Sequence, residues 1–222
     1  MTHAAVVFDF DGVLADTEGL HLAAFQDTFA THGWTLARDA YFSRYLGFDD
    51  RDLVEHFLDD QGVSLGAAAR EALIIEKGRR YDARVASGRV LFPTATAAIA
   101  RLGAEFPLAI ASDSIRHEII SILRANDLDR AIPIVVGADD VRESKPAPDS
   151  YALAVERLGV APASAVAIED SHWGLVSARA AGLKTIGITT SYPASALGLA
   201  HHVVSSLDEV TTEVVRRLLA VR

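Results

Sequence analysis

The chain has 222 residues, a length that allows one large domain or a core with a modest insertion. Of these residues 50% are hydrophobic and 23% charged, a composition typical of a protein with an ordinary buried core. Its formal charge of −9 argues against routine binding to nucleic acids or anionic membranes, although a local cation can still admit an anionic substrate. The absence of cysteine excludes disulfides, thiolate nucleophiles and cysteine–zinc sites. Without a signal-peptide pattern or a long apolar run, we expect a cytoplasmic protein that is not in a membrane.

The first predicted element is a buried strand at Ala4–Phe8, a continuous apolar run that ends in two acids. Asp9 and Asp11 lie two residues apart, so both carboxylates can face one pocket if the chain stays extended. Left bare, the two charges would repel and one acid would take up a proton, whereas a divalent cation such as Mg²⁺ stabilises both. An acidic turn without a metal is the alternative, since Asp and Gly are common in turns.

Residues 17–85 show helical patterns and no convincing strand. The first pattern places three apolar side chains on one face: Leu22, Phe25 and Phe29. We interpret residues 17–85 as a helical cap domain, and residues 1–16 with 86–222 as the catalytic core into which it is inserted. Because ligands of doubly wound sheets bind beyond the carboxyl ends of the strands, an insertion there would cover the site as a lid.

The sheet resumes with predicted strands at Leu108–Ala111 and Ile132–Val136. The first ends in Ser112, whose hydroxyl could bind an anion at the start of a helix, although an ordinary helix N-cap is the simpler interpretation. Lys145 lies beside Pro146 in a loop before the next helix. There it could neutralise a phosphate as a compact charge, or be an ordinary surface lysine.

The fourth predicted strand, Ala165–Ile168, repeats the layout of the first, because Glu169 and Asp170 follow it directly. An N-cap role for Asp170 or Ser171 in the following helix is an alternative, but it does not explain Glu169. Two strands that each end in two acids gather four carboxylates at one edge of a sheet. Such a cluster requires a metal and further positive charge.

The chain ends with a predicted strand at Thr185–Ile188 and a last helix, for which Ser206 and Glu209 form a capping box. Strands that alternate with helices imply right-handed crossovers and a parallel sheet. We therefore predict an α/β fold with a doubly wound, Rossmann-like sheet core and a small inserted helical domain.

Together these motifs resemble the haloacid dehalogenase-like hydrolase superfamily. The matching residues are Phe8 to Leu14 with Asp16 for motif I, Ser112 for motif II, Lys145 and Pro146 for motif III, and Glu169 and Asp170 for motif IV. They occur in the family's order across nearly the whole chain, and the insertion resembles its subclass I cap. Asp11, absent from the dehalogenase branch, implies phosphoryl transfer.

The resemblance implies a role for each core residue. Asp9 would be the nucleophile that forms an aspartyl-phosphate, and Asp11 the general acid and base. Ser112 and Lys145 would bind the transferring phosphoryl group. The implied ligands of a Mg²⁺ cofactor are Asp9, Asp11 through its carbonyl, Asp170, and Glu169 directly or through a neighbour.

Within the superfamily the chain is most similar to the β-phosphoglucomutase and sugar-phosphatase group. His21 and Lys77 match residues of that group's cap, although ordinary helix-surface positions are the alternative for both. The substrate loop departs from the mutase pattern. After Gly47, two aspartates precede Arg51, which displaces by one position the arginine that would hold a distal phosphate.

We therefore predict a Mg²⁺-dependent phosphatase of a small organic phosphomonoester such as a sugar phosphate, with a phosphosugar mutase that uses the same aspartyl-phosphate as the alternative. Its expected partner is a small phosphorylated metabolite, with neither nucleic acid nor membrane. We expect a monomer or a weak dimer.

Overall fold

The computed structural model describes residues 4–46, 48–85 and 90–220, so the predicted substrate residue Gly47 lies outside the described residues. The chain divides into two compact units. One comprises Met1–Asp16 with Leu91–Arg222, and the other Thr17–Val90. We call them the sheet unit and the helical unit, and each is described by itself.

In the sheet unit the described residues form short strands that alternate with helices, and in the helical unit, Thr17–Val90, they form helices without strands. The strands are β1 (Ala5–Phe8), β2 (Leu108–Ala111), β3 (Ile134–Val136), β4 (Ala165–Glu169), β5 (Lys184–Ile188) and β6 (His202–Val204). The helices are α1 (Glu18–Ala30), α2 (Arg38–Ala40), α3 (Asp50–Asp60), α4 (Ala67–Val85), α5 (Ala95–Gly103), α6 (Arg116–Ala125), α7 (Asp149–Leu158), α8 (His172–Ala180) and α9 (Thr212–Ala220). Among them, none combines the length and the apolar character that a membrane crossing demands.

The described strands form one parallel sheet in the order β3-β2-β1-β4-β5-β6. β1 lies near the centre between β2 and β4, and the chain winds outward from it in both directions. This confirms the predicted α/β fold with a doubly wound, Rossmann-like sheet. The edge strand β6 was not predicted, because only Val203 and Val204 are apolar and histidines and serines flank them, so no apolar run stands out.

Small side chains in the strands form the core on one face of the sheet. Ala5 and Val7 of β1 lie in one buried cluster with Tyr151 and Ala154 of α7 and Ala178 of α8. β1, β2 and β4 are buried over their whole length. Burial on both faces explains why their sequences are continuously apolar rather than alternating.

The predicted start of the last helix at Ser206 is wrong. Ser206 instead caps a single 3₁₀ turn, Leu207–Glu209, by accepting a hydrogen bond from the Asp208 N–H. Glu209 accepts hydrogen bonds from the backbone N–H and hydroxyl of Ser205. The backbone leaves the helical conformation after this turn, and α9 begins only at Thr212.

The helical unit has an aromatic core of its own. The predicted apolar face of α1 is confirmed, since Leu22, Phe25 and Phe29 are all buried. The rings of Phe29 and Phe57 stack with centroids 4.1 Å apart, which joins α1 to α3. Offset aromatic stacking of this kind adds to the stabilisation from burial alone.

Candidate active site

The acids and hydroxyls singled out in the sequence follow the carboxyl ends of adjacent strands. Phe8 of β1 pairs with Ile168 of β4, so the next residues, Asp9 and Glu169, lie side by side. The Asp9 N–H donates to the Ile168 carbonyl at 2.9 Å. Ser112 follows β2 on the other side of β1. Ligands of doubly wound sheets bind at this edge.

A tight turn follows Asp9. The Phe10 carbonyl accepts hydrogen bonds from the N–H groups of Leu14 and Ala15 at 2.9 and 3.0 Å. Gly12 has a φ of +77°, a left-handed conformation that favours glycine. Burial raises the pKa of the Asp9 carboxyl, and the turn keeps Asp11 close enough for its charge to add to this rise.

Lys145 bridges the two acid-bearing strand ends. Its Nζ donates to Asp9 Oδ1 and to Glu169 Oε1, both at 2.7 Å. The three side chains are almost fully buried, with exposed fractions of 6%, 9% and 0%. The Lys145 N–H also donates to Asp113 Oδ1 at 3.2 Å, which anchors the loop. Lys145 is therefore a buried cation, and the interpretation as an ordinary surface lysine is wrong.

Glu169 is buried because five donors satisfy its two oxygens. Oε1 accepts from Lys145 and from the Tyr151 hydroxyl, the latter at 2.9 Å. Oε2 accepts from the N–H groups of Asp170 and Ser171 and from the Ser171 hydroxyl. A Cβ on Gly174 would lie 1.7 Å from Oε1, so α8 approaches this carboxylate through its glycine. These hydrogen bonds to both carboxylate oxygens offset the free-energy cost of burying the charge of Glu169.

The electrostatics of the cluster are dominated by burial. Burial raises the pKa of the Asp9 carboxyl well above its usual range; Lys145 opposes this rise, and Glu169, Asp170 and Asp11 add to it. For Lys145, burial lowers the pKa, but attraction to Asp9 and Glu169 outweighs it and holds the pKa well above the ordinary value. Oxygens of Asp9, Glu169 and Asp170 lie within 4.8 Å of one another. The cluster thus retains excess negative charge that a cation would neutralise.

Hydroxyl groups face the second acid of the turn. Ser112 Oγ lies 3.4 Å from Asp11 Oδ2, and Ser114 Oγ donates to the same oxygen at 2.5 Å. The N-cap interpretation of Ser112 is wrong, because the N-cap of α6 is Ile115. The N-cap of α8 is Ser171 rather than Asp170. Ser112 and Asp170 are therefore not accounted for by helix capping.

Two of the residues predicted in the helical unit contact each other. Lys77 is 1% exposed, and its Nζ bonds both oxygens of Asp50 at 2.7 and 2.8 Å and His21 Nδ1 at 2.8 Å. The His21 ring stacks on Tyr81 at 4.2 Å. Lys77 is thus no surface residue. The predicted Arg51, by contrast, is 75% exposed, with its guanidinium 3.9 Å from Glu71.

Three polar contacts of the acids involve residues outside the sequence motifs. The first is made by Tyr151, whose hydroxyl donates to Glu169 Oε1. Ser114 follows β2 and bonds Asp11, while Ser191 follows β5 and donates to Asp170 Oδ2. The signal that could have identified the two serines is their position, since both follow strands at the edge that carries the acids.

Comparisons with known proteins agree with this geometry. Residues 6–188 match the family model of the haloacid dehalogenase-like hydrolases. The protein CbbY of Rhodobacter capsulatus is 36% identical over 201 residues, covering 85% of this chain and 86% of its own. A protein of Thermotoga maritima named phosphorylated carbohydrates phosphatase is 28% identical over 183 residues, 82% of this chain and 83% of its own.

Among solved structures, that of CbbY from Rhodobacter sphaeroides in complex with xylulose-(1,5)bisphosphate superposes with a TM-score of 0.85. The two sequences are 31% identical, and the match covers 94% of this chain and 96% of the other. The matched residues include most of the sheet and all four sequence motifs, from Asp9 to Asp170. The chain belongs to the haloacid dehalogenase-like hydrolases.

Proposed function

We propose that the chain is a Mg²⁺-dependent phosphatase that hydrolyses a small organic phosphomonoester, such as a sugar phosphate, through an aspartyl-phosphate on Asp9. The buried ammonium of Lys145, 2.7 Å from both Asp9 and Glu169, is the observation that carries the proposal. Phosphoryl transfer depends mainly on positioning and on neutralising the charge of the transferring group. A fixed cation beside a carboxylate nucleophile, at the edge where ligands bind, supplies both.

The donor set fits a hard divalent cation. Asp9, Glu169 and Asp170 offer buried carboxylate oxygens within 4.8 Å of one another, and Mg²⁺ prefers such oxygens. Burial, together with the charges of Glu169, Asp170 and Asp11, raises the pKa of the Asp9 carboxyl despite Lys145, and a bound cation would oppose that rise. We assign Mg²⁺ to Asp9, Asp170 and the Asp11 carbonyl, with Glu169 as a ligand directly or through a neighbour. When bound, it would neutralise the acids and withdraw negative charge from the phosphoryl oxygens.

The proposed reaction has two displacements at phosphorus. In the first, an Asp9 oxygen bonds to phosphorus, the bond to the leaving oxygen breaks, and Asp11 gives that oxygen its proton. In the second, Asp11 takes a proton from water, the water oxygen bonds to phosphorus, and the bond to Asp9 breaks. Ser112 and Lys145 bind the phosphoryl oxygens throughout. The products are an alcohol and inorganic phosphate, and both aspartates return to their starting states.

The substrate class rests on the relatives and on the helical unit. One relative is named a phosphatase of phosphorylated carbohydrates, and the structure of CbbY contains a ketose bisphosphate. We propose that the helical unit is the predicted cap, and that His21, Gly47, Arg51 and Lys77 contribute to substrate selection. We also propose that the protein acts in the cytoplasm, as a monomer or weak dimer.

The proposal is tested by a phosphate-release screen over a panel of phosphomonoesters with Mg²⁺, including p-nitrophenyl phosphate. Asp9→Asn is expected to abolish turnover while the protein stays folded, whereas Asp208→Asn, at an exposed position, serves as the matched control. Turnover by Asp9→Asn, or no phosphate release from any ester, would overturn the mechanism. Conversion of β-glucose 1-phosphate with a trace of bisphosphate into glucose 6-phosphate, without free phosphate, would identify a mutase instead.

A further inference from the structure

We infer that Thr190 and Ser191 are positioning residues that hold the two acid-bearing turns in the arrangement that binds Mg²⁺. The inference rests on the proposed metal and extends it to residues outside the four motifs. Both residues follow β5, the strand next to β4, at the same edge of the sheet as the acids. Neither belongs to the catalytic groups proposed above.

Ser191 acts on the acid that follows β4. Its hydroxyl donates to Asp170 Oδ2 in a short hydrogen bond. Asp170 is only 5% exposed and lies among other carboxylates, so its orientation needs a donor inside the protein. A hydroxyl can supply this without adding positive charge that would compete with a metal. Outer partners of this kind orient metal-binding carboxylates and tune their affinity.

Thr190 acts on the turn that follows β1. Its Oγ1 donates to the carbonyl oxygen of Gly12, the residue after Asp11. This bond ties the end of β5 to the turn whose Asp11 carbonyl is a proposed metal ligand. Two consecutive hydroxyl residues thus each hold one of the two acid-bearing turns.

The turn at Gly12 packs closely against the Asp170 carboxylate and the Ser191 hydroxyl. A Cβ at Gly12 would lie 1.8 Å from Asp170 Oδ2 and 2.7 Å from Ser191 Oγ. The glycine therefore lets the carboxylate and the hydroxyl sit directly against the turn. Three strand ends, those of β1, β4 and β5, meet at this point. A change in the Ser191 bond must alter where Asp170 lies relative to the turn, because close-packed groups cannot shift independently.

The test measures Mg²⁺ binding rather than turnover. Calorimetric titration with MgCl₂ gives the Kd of wild type, Ser191→Ala, Ser191→Thr and Thr190→Val, and the Tm without metal reports folding separately. We expect Ser191→Ala to raise the Kd about 10- to 100-fold and Ser191→Thr, which keeps the hydroxyl, to restore most of the affinity. Thr190→Val, which replaces a hydroxyl by a methyl group of similar size, should also raise the Kd. Ser205→Ala is the matched control, because that hydroxyl also donates to a carboxylate, Glu209, after the neighbouring strand β6.

Each result has one meaning. If the wild type does not bind Mg²⁺, the metal in the proposed function is wrong. If the wild type binds and Ser191→Ala binds within twofold of it, the positioning role of Ser191 is refuted while the proposed function stands. A Ser191→Thr variant as weak as Ser191→Ala would equally refute it, and a wild-type Kd in Thr190→Val would refute the role of that hydroxyl.

Discussion

Replacing Lys145 by methionine keeps the length of the side chain and removes its charge. In the structure this deletes two hydrogen bonds of 2.7 Å, to Asp9 and Glu169. If Lys145 stabilises the transferring phosphoryl group as we propose, its loss raises the barrier by roughly 3–4 kcal/mol, and kcat falls about 10²- to 10³-fold. The nucleophile itself is retained, so activity is expected to be low rather than absent.

The same substitution should also destabilise the metal-free fold. Removing one partner of a buried ion pair costs about 3–5 kcal/mol, because the remaining charge stays buried without compensation. Here two carboxylates lose their shared cation, with exposed side-chain fractions of 9% and 0%. Proton uptake by Asp9, whose pKa is already raised by burial and by its acidic neighbours, limits this loss at low pH. The destabilisation is therefore expected to be larger at pH 8 than at pH 5.

Two assays separate the effects. Phosphate release at saturating Mg²⁺ measures the rate, and urea unfolding without metal at pH 5 and pH 8 measures stability. Lys184→Met is the matched control, because Lys184 is the first residue of β5 and therefore lies at the amino ends of the strands, away from the acids. A Lys145→Met variant with kcat within fivefold of wild type would refute the phosphate-binding role. One that is as stable as wild type at pH 8 would refute the electrostatic argument.

Two further predictions concern the same cluster. Tyr151→Phe removes only the hydroxyl that donates to Glu169, so the free energy of unfolding should fall by about 1.5–3 kcal/mol and kcat should fall as well. The control is Tyr41→Phe, which loses a hydrogen bond to Glu18 and should affect stability alone. Equal kcat losses in both variants would contradict this prediction. Because its pKa is raised in the folded state, Asp9 keeps its proton to higher pH in the folded protein than in the unfolded chain. The metal-free protein should therefore lose stability as pH rises from about 4 through that raised pKa. Urea unfolding between pH 4 and 8 tests this, and a profile that is equally steep in Asp9→Asn would show the wrong group was chosen.

The sheet and its acidic edge could be predicted because each rests on local sequence. A strand buried on both faces must be apolar throughout, so β1, β2 and β4 stand out as runs, and the polar residues that follow them are visible as exceptions. The partners of those acids could not be predicted in the same way. Tyr151 lies 18 residues from Glu169, and Ser191 lies 21 residues from Asp170. Only the assembled sheet brings each pair into contact.

Two capping patterns misplaced the start of a helix, although Ser171 does cap α8. Ser206 and Glu209 have the spacing of a capping box, yet they stabilise one 3₁₀ turn, since Glu209 bonds Ser205 instead. Ser112, interpreted as an N-cap, lies before the N-cap residue Ile115. In both cases the residue type was right for a cap, but the path of the chain after a strand or turn decided whether a helix began there.

The two aspartates that set the substrate loop apart from the mutase pattern have structural roles within the helical unit. Asp49 caps α3 by accepting hydrogen bonds from the N–H groups of Arg51 and Asp52. Asp50 pairs with the buried ammonium of Lys77 through both carboxylate oxygens. From the sequence alone, the one visible effect of these acids is that they displace Arg51 by one position. The ion pair gives a more specific argument, because a lysine neutralised by Asp50 has less attraction to offer a second phosphate. This favours a substrate held by one phosphate, and thus a hydrolase over a mutase that must hold a bisphosphate at both ends.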